Sequence, residues 1–157
     1  MPPPLILDPT ALDFSHLLAD RQRVLEVNPH RHEFALLDGV VMCDREQGVF
    51  AGWHDVRTDE FWVRGHIPER PLFPGVLMIE VAAQLASFIK HHLLGGEGFF
   101  GLIGVDQVKF RGIVEPPCRF VVIGQALEVR PRRTKCLTQG FVNGTMVFEA
   151  VITGMAV

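Results

Sequence analysis

Residues 71–89 read PLFPGVLMIEVAAQLASFI, and Glu80 carries the single formal charge among these nineteen residues. The stretch approaches the roughly 20 apolar residues that a membrane-spanning helix requires. Its Pro-Leu-Phe-Pro-Gly start is unsuited to a lipid-exposed span, and Glu80 and Gln84 lie four residues apart, on one face of a helix. We therefore predict a buried helix from Pro74 to Leu94, apolar on all sides because a sheet wraps it, and no membrane insertion.

The segments around this helix predict β-strands. Apolar and β-branched residues bounded by turn residues indicate strands over 40–43, 49–53, 102–108, 120–129, 134–142 and 145–153. Asn143-Gly144 predicts a two-residue hairpin between the last two strands. One long helix flanked by strands indicates an α+β fold with a largely antiparallel sheet. At 157 residues the chain has the length of a single domain, 1–157.

The N-terminal part, residues 1–27, is predicted to be a helix and a lead-in. Asp8-Pro9 is typical of a helix start, because an acidic residue caps the helix and proline suits its first position. Leu12, Phe14 and the leucines that follow predict a short amphipathic helix that ends near Arg21.

The composition excludes several classes of protein. Hydrophobic residues make up 48% of the chain and charged residues 21%, which indicates a folded core rather than disorder. With a formal charge of −3, the chain lacks the excess positive charge that is typical of nucleic-acid-binding proteins. Cys43, Cys118 and Cys136 are scattered, which favours reduced thiols over a disulfide or zinc site. The N-terminal Met-Pro-Pro-Pro lacks the features of a secretory signal, so we expect a cytoplasmic protein.

Glu80 and His66 are the strongest candidates for chemistry. A mid-helix carboxyl group loses hydration, which disfavours its charged form and suits a proton donor, although a structural carboxylate is an equal alternative. His66 lies fourteen residues earlier in Gly-His-Ile-Pro and suits a general base, although a histidine in such a loop is more often only a hydrogen-bonding residue. Free amides at Gly75 could bind negative charge on a carbonyl oxygen. Together they suit removal of a proton next to a carbonyl with loss of a β-hydroxyl group.

Other polar clusters give weaker signals. His30 and His32 flank Arg31 without a carboxylate at ligand spacing, and His91-His92 ends the long helix, so we predict no metal site. A basic cluster lies at a predicted strand-to-strand turn. Such clusters are usually only solvated, but this one could receive an acidic partner. Its members are Arg130, Arg132, Arg133 and Lys135.

The segment that contains both candidate residues resembles a known family. Residues 65–84, GHIPERPLFPGVLMIEVAAQ, are similar to the signature of the bacterial 3-hydroxyacyl-[acyl-carrier-protein] dehydratases of the FabZ type. That signature reads Gly-His-Phe-Pro, two variable residues, Pro, two apolar residues, Pro-Gly-Val-Leu and Glu-Ala-x-Ala-Gln. Residues 29–38 and 104–111 resemble the family's Pro-His-Arg…Leu-Leu-Asp and Gly-Ile-Asp…Phe-Arg segments, so the resemblance spans about 28 to 155.

The resemblance implies a hotdog fold, in which a sheet wraps one long helix and two subunits join their sheets, as dimers or trimers of dimers. It implies a shared site where His66 of one subunit faces Glu80 of the other. The implied reaction converts a (3R)-3-hydroxyacyl thioester to the trans-2-enoyl thioester: His66 takes the α-proton, Glu80 helps expel the β-hydroxyl, and the Gly75 amide holds the thioester oxygen. The substrate would ride on the phosphopantetheine of acyl carrier protein, whose acidity suits the basic cluster, and no metal or separate cofactor is expected.

The sequence departs from the family at positions that bear on the acyl tunnel. Ile67 stands where the family has Phe, Phe73 stands where it has Met, and residues 115–118 read EPPC. Because the chain contains no tyrosine, Phe99 or Phe100 is expected to serve as an aromatic gate. The expected tunnel and supporting residues are Gln84, Phe73, Val76, Ile67, Phe99 and Phe100. Two alternatives are a hotdog thioesterase that uses a carboxylate and water, and a non-catalytic subunit that binds acyl carrier protein.

Overall fold

A six-stranded antiparallel sheet packs against one long helix in this computed structural model, which describes residues 3–96 and 98–157. Strand order across the sheet is β1-β2-β4-β5-β6-β3. The elements are α1 (Arg21–Val27), β1 (Gly39–Asp44), β2 (Val49–Val56), α2 (Gly75–Leu94), β3 (Phe100–Phe110), β4 (Cys118–Val129), β5 (Arg133–Val142) and β6 (Thr145–Ala156), with 3-10 turns at Pro9–Ala11 and His32–Phe34. This arrangement confirms the predicted α+β hotdog fold. None of the helices in the described ranges has the length and apolar character needed to cross a bilayer.

The helix α2 forms the core with the inner face of the sheet. Leu77, Val81, Leu85 and Phe88 are buried on one side of the helix, where they join a cluster that includes Phe120. Burial of each such side chain contributes roughly 1.5–3 kcal/mol. This packing explains why an apolar helix of this length is stable in water.

One face of α2 is not enclosed in the first half of the helix. Val76 is 71% exposed, and Ile79, Glu80 and Ala83 are only partly buried. These residues recur at helical spacing, so they form one stripe. We call these four residues the open stripe of α2. From Gln84 to Lys90 every residue is buried, so the prediction of burial on all sides is confirmed for the second half of the helix and wrong for the first.

The N-terminal segment differs from its prediction. The helix expected to end near Arg21 begins there, because the Asp20 carboxylate accepts a hydrogen bond from the Arg23 amide and caps α1. Upstream, the Asp13 carboxylate accepts a hydrogen bond from the Ser15 amide, a local turn that competes with helix. Leu12 and Phe14 instead pack on the outer face of the sheet, in a second apolar cluster.

The strand predictions are confirmed, with longer ends. The β5–β6 hairpin turns at Asn143 and Gly144, which both have positive φ, at 50° and 78°. This is the backbone that a two-residue turn with the sheet's own twist requires. The long connection between β2 and α2 contains His66 and ends at the start of α2.

Candidate active site

An apolar groove opens at the N-terminus of α2. Its volume is about 350 Å³, and most of its wall is hydrophobic. Pro74 occupies the N-cap and has no side-chain acceptor, so the first backbone amides of α2 face the groove without a side-chain cap. The lining residues are His66, Leu72, Phe73, Gly75, Val76, Met78, Phe110, Gly112, Ile113 and Val114.

Gly75 permits the tight packing at this helix start. A Cβ at position 75 would lie 2.7 Å from Cε1 of Phe110. Glycine is therefore required for the Phe110 ring to pack against the first turn of α2. Gly75 and the Phe110 ring both line the groove.

His66 borders the groove from the loop that precedes α2. Its Nδ1 atom lies 2.7 Å from the carbonyl oxygen of Leu72, and its backbone amide donates to the Trp62 carbonyl oxygen at 2.8 Å. A carbonyl oxygen can only accept a hydrogen bond, so Nδ1 carries a hydrogen. In the neutral ring Nε2 then keeps its lone pair. His66 is thus oriented as a base with an exposed side chain.

The loop around His66 holds strained backbone. Ile67 has φ of 58° and Glu69 has φ of 75°. A β-branched residue rarely adopts this left-handed region, and such conformations cost about 1–3 kcal/mol each and persist only where the surroundings impose them. We call residues 65–70 the His66 loop.

Glu80 lies on the open stripe of α2, away from His66 of the same chain. Its side chain is 22% exposed, and it is not among the residues that line the groove. Oε1 of Glu80 accepts a hydrogen bond from Nε2 of Gln84 at 2.9 Å and lies 3.6 Å from Nε2 of His30. The carboxylate is therefore held in a defined orientation while one side remains accessible.

Gln84 is buried and bonds both to residues 34–37 and to Glu80. Its Oε1 accepts hydrogen bonds from the amides of Leu36 and Leu37, at 3.0 and 3.1 Å. Its Nε2 donates to the Phe34 carbonyl oxygen and to Glu80. Every donor and acceptor site of the side-chain amide is therefore used. Gln84 supports the site through these bonds and does not line the groove.

His30 is a site residue whose proximity to Glu80 the sequence did not reveal. The sequence marked it only as a weak metal signal. Burial lowers the pKa of His30, Arg31 lowers it further, and the charge of Glu80 partly offsets both. Within the described ranges its buried Nδ1 has no hydrogen-bond partner. The Pro-His-Arg segment alone could not reveal that His30 contacts Glu80, which lies fifty residues later in the chain.

The other predicted tunnel residues lie in different places. Phe73 and Val76 line the groove. Ile67 is exposed in the His66 loop and is outside the groove lining. Phe100 packs against Gly154 at the opposite end of β3 from Phe110. Phe99 directly precedes it and is exposed. The single chain therefore does not bring Phe99 or Phe100 to the groove.

The basic cluster lies on the β4–β5 hairpin and is accessible. Arg130, Arg132 and Arg133 are exposed, and Lys135 is partly buried. Glu128 forms an ion pair with Arg130 at 3.0 Å and lies 4.0 Å from Arg133. In the described ranges, no three His, Cys, Asp or Glu side chains are grouped to hold a metal ion.

Comparisons with known sequences match most of the chain. A family model described as a FabA-like domain matches residues 28–151. The chain is 37% identical over 142 residues to the 3-hydroxyacyl-[acyl-carrier-protein] dehydratase FabZ of Bartonella bacilliformis, covering 88% of this chain and 90% of the relative. It is 30% identical over 141 residues to the FabZ of Protochlamydia amoebophila, covering 86% and 92%.

Solved structures resemble the fold at lower identity. The dehydratase heterocomplex ApeI:P from Xenorhabdus doucetiae matches with a TM-score of 0.73 at 14% identity, over 85% of this chain and 90% of that one. A mutant of the thioesterase PA1618 from Pseudomonas aeruginosa matches with a TM-score of 0.65 at 14% identity, over 88% and 94%. These two proteins differ in activity, so the likeness concerns the hotdog fold alone.

Proposed function

Because this chain belongs to the FabA-like family that includes the FabZ 3-hydroxyacyl-[acyl-carrier-protein] dehydratases, we propose that it removes water from (3R)-3-hydroxyacyl thioesters carried on acyl carrier protein. The product is the trans-2-enoyl thioester, as in fatty-acid biosynthesis or a related acyl pathway. The observation that carries this proposal is the orientation of His66, whose Nδ1 is fixed on Leu72 beside uncapped helix amides and an apolar groove.

The groove suits the acyl thioester. The Gly75 amide at the positive end of α2 donates to the thioester carbonyl oxygen, where negative charge develops as the α-proton leaves. The hydrophobic wall, which includes Phe73 and Val76, receives the acyl chain. Nε2 of His66 takes the proton from Cα, since a neutral imidazole is a suitable base at neutral pH.

Glu80 completes the elimination. The electron pair left on Cα forms the Cα–Cβ double bond while the Cβ–O bond breaks, and Glu80 delivers a proton, which its carboxylate has taken up from solvent, to the departing hydroxyl. Water is released, and exchange with solvent returns the proton from His66 to the Glu80 carboxylate. The proton and electron-pair transfers of this elimination require a base, an acid and an amide donor. We therefore propose that no metal or separate cofactor takes part.

The two residues are brought together by a second copy of the chain. The β3 strand forms an edge of the sheet, and Ile103 on it is 53% exposed. An unpaired edge is a template for pairing with another strand. Joining two β3 edges would extend the sheet across both copies and cover the open stripe of α2. His66 of one subunit would then face Glu80 of the other, in a dimer or a trimer of dimers.

The direct experiment follows enoyl thioester absorbance with a 3-hydroxyacyl substrate on acyl carrier protein. His66→Ala and Glu80→Gln should each lower kcat/KM by about 10²–10⁴, the usual contribution of a positioned acid or base. Glu80→Gln keeps an acceptor for the Gln84 amide, so the fold is retained. His16→Gln is the matched control, because the His16 side chain is exposed, contacts its neighbours Asp13 and Ser15 and does not line the groove.

Two results would contradict this proposal. One is absence of enoyl product with the wild-type protein, and the other is an unchanged rate in both site variants. Release of free thiol instead of enoyl product would favour the thioesterase alternative. Binding of acyl carrier protein without any turnover would favour the non-catalytic alternative.

We propose that the β4–β5 hairpin docks the acyl carrier protein, because its arginines are exposed and an acidic partner is attracted to them. Arg130→Glu together with Arg132→Glu should raise KM for the carrier-bound substrate about tenfold and leave KM for the same acyl group on coenzyme A unchanged. The control, Arg23→Glu with Arg45→Glu, changes the net charge equally on other surfaces. Equal effects of the two double variants would refute this docking site.

A further inference from the structure

A buried histidine lies between two carboxylates and contacts the connection that contains the His66 loop. His54 is on β2, on the same side as Phe50, and is 2% exposed. Its Nε2 lies 2.6 Å from Oε1 of Glu60, and its Nδ1 lies 2.6 Å from the Leu36 carbonyl oxygen and 3.1 Å from Oδ2 of Asp38. Each ring nitrogen thus faces an acceptor, which is the arrangement that a doubly protonated imidazolium ring satisfies.

The surroundings favour the charged ring. Burial acts against the charge, but hydrogen bonds and the charges of Asp38 and Glu60 outweigh it and raise the pKa of His54 to about 9. Arg21 donates to Asp38 at 2.8 Å, and the backbone amide of Arg57 donates to Glu60 at 2.8 Å. Cys118 on β4 is the further titratable group beside Glu60. Each carboxylate therefore faces His54 and a second hydrogen-bond donor, which is Arg21 for Asp38 and the Arg57 amide for Glu60. A buried ionic cluster requires such partners.

This cluster contacts the connection between β2 and α2 on both sides of His66. Glu60 precedes His66, and Phe73 follows it. The His54 ring stacks on the Phe73 ring, with centroids 5.3 Å apart and an interplanar angle of 26°. Phe73 also packs on Trp62 at 5.5 Å, and its amide donates to the Val114 carbonyl oxygen at 2.8 Å.

Both hydrogen-bond partners of His66 lie next to these contacts. Trp62, which accepts from the His66 amide, is two residues after Glu60. Leu72, which accepts from Nδ1 of His66, directly precedes Phe73. A shift of Glu60 or Phe73 would therefore move the groups that orient the His66 ring.

We propose that His54 is a positioning residue that holds the strained His66 loop, through Glu60 and Phe73, in the conformation that directs His66 into the groove. The proposal rests on the proposed function, because it assigns His54 a role in orienting the base of that reaction. The loop requires such an anchor because Ile67 has a positive φ, and strained backbone persists only where its surroundings impose it.

The test compares His54→Gln and Glu60→Gln with Ile123→Val. Ile123 is fully buried in the outer cluster, so its variant perturbs packing without touching the loop. Two quantities are measured on each: kinetics with a short-chain 3-hydroxyacyl thioester of acyl carrier protein, and backbone hydrogen exchange of residues 61–72. His54→Gln and Glu60→Gln, the two loop variants, should each lower kcat about tenfold or more while KM changes less than about twofold. Substrate binding is kept in them, and the orientation of the base is lost.

Hydrogen exchange over residues 61–72 should quicken about tenfold in the two loop variants and stay unchanged in Ile123→Val. If His54→Gln does not fold, Glu60→Gln performs the same test, since it keeps the side-chain volume but removes the charge that pairs with the His54 ring. Wild-type kcat and wild-type exchange in either loop variant would overturn the proposal, as would equal losses in Ile123→Val. Failure of the proposed function appears separately, as an inactive wild-type protein, and leaves the exchange comparison informative.

Discussion

At the scale of a single residue, His54 makes stability depend on pH. Its pKa is raised from 6.5 to about 9 in the folded protein, against burial, by hydrogen bonds and charges from Asp38 and Glu60. A group whose pKa is raised on folding stabilises fully below its unfolded pKa, and this stabilisation is lost as pH rises through the folded value. We expect the free energy of unfolding in urea to fall by on the order of 3 kcal/mol between about pH 6.5 and 9.5 from this residue.

The His54→Gln variant should remove most of that slope, because glutamine does not titrate. Asp38 acts in the opposite direction: burial alone would raise its pKa, but hydrogen bonds from His54 and the Asp55 amide lower it. Its contribution is therefore lost on the acid side, below its ordinary pKa. A wild-type stability curve that stays flat from pH 6.5 to 9.5 would contradict the charged cluster.

Single residues also differ in how far the sequence could reveal them. His66 and Gly75 were identifiable because a glycine- and proline-bounded loop and a helix start are local features. His54 was not, because its role depends on Asp38 and Glu60, which are brought to it by strand pairing and loop closure. His30 was missed for the same reason, since its contact with Glu80 forms only after the chain folds.

At the scale of an element, the start of α2 combines packing and chemistry. Gly75→Ala would place a Cβ 2.7 Å from the Phe110 ring, so the ring or the first helical turn must move. We expect a loss of about 1–3 kcal/mol in the free energy of unfolding, the usual range for overpacking. The rate should fall as well, because the first amides of α2 would shift from the position of the substrate carbonyl.

The double variant Gly75→Ala with Phe110→Leu is the control for this prediction. Leucine leaves space for the added methyl group. The double variant should therefore lose less unfolding free energy than the sum of the losses in Gly75→Ala and in Phe110→Leu. Urea unfolding of all four proteins gives the coupling energy. Additive effects, or a Gly75→Ala protein as stable as the wild type, would show that Phe110 does not set the need for glycine.

The elements themselves were largely readable from the sequence. The long apolar run with Pro74 before it and Gly95 after it predicted α2, and turn residues bounded the strands. In the N-terminal segment the predicted Asp8 cap is confirmed, but it starts only the 3-10 turn Pro9–Ala11, and the predicted helix that ends near Arg21 is wrong. Asp20 caps α1, while packing of Phe14 against Trp53 keeps the earlier segment irregular on the sheet.

At the scale of the whole molecule, the two residues of the proposed acid–base pair lie in different settings in the single chain. His66 borders the groove, and Glu80 lies on the open stripe of α2, held by Gln84 and near His30. The exposed apolar residues of β3 and the open stripe are the surfaces that a second copy would cover. The two halves of the proposed acid–base pair therefore call for a shared site between two copies.

Mixing two inactive variants tests that claim most directly. His66→Ala and Glu80→Gln proteins are unfolded together in equal amounts and refolded, and hybrid dimers are counted by native mass spectrometry. In each hybrid, one site combines His66 from one chain with Glu80 from the other, so a symmetric dimer predicts recovery of about a quarter of wild-type activity per subunit. Hybrid dimers that form at the expected abundance and remain inactive would contradict the shared site.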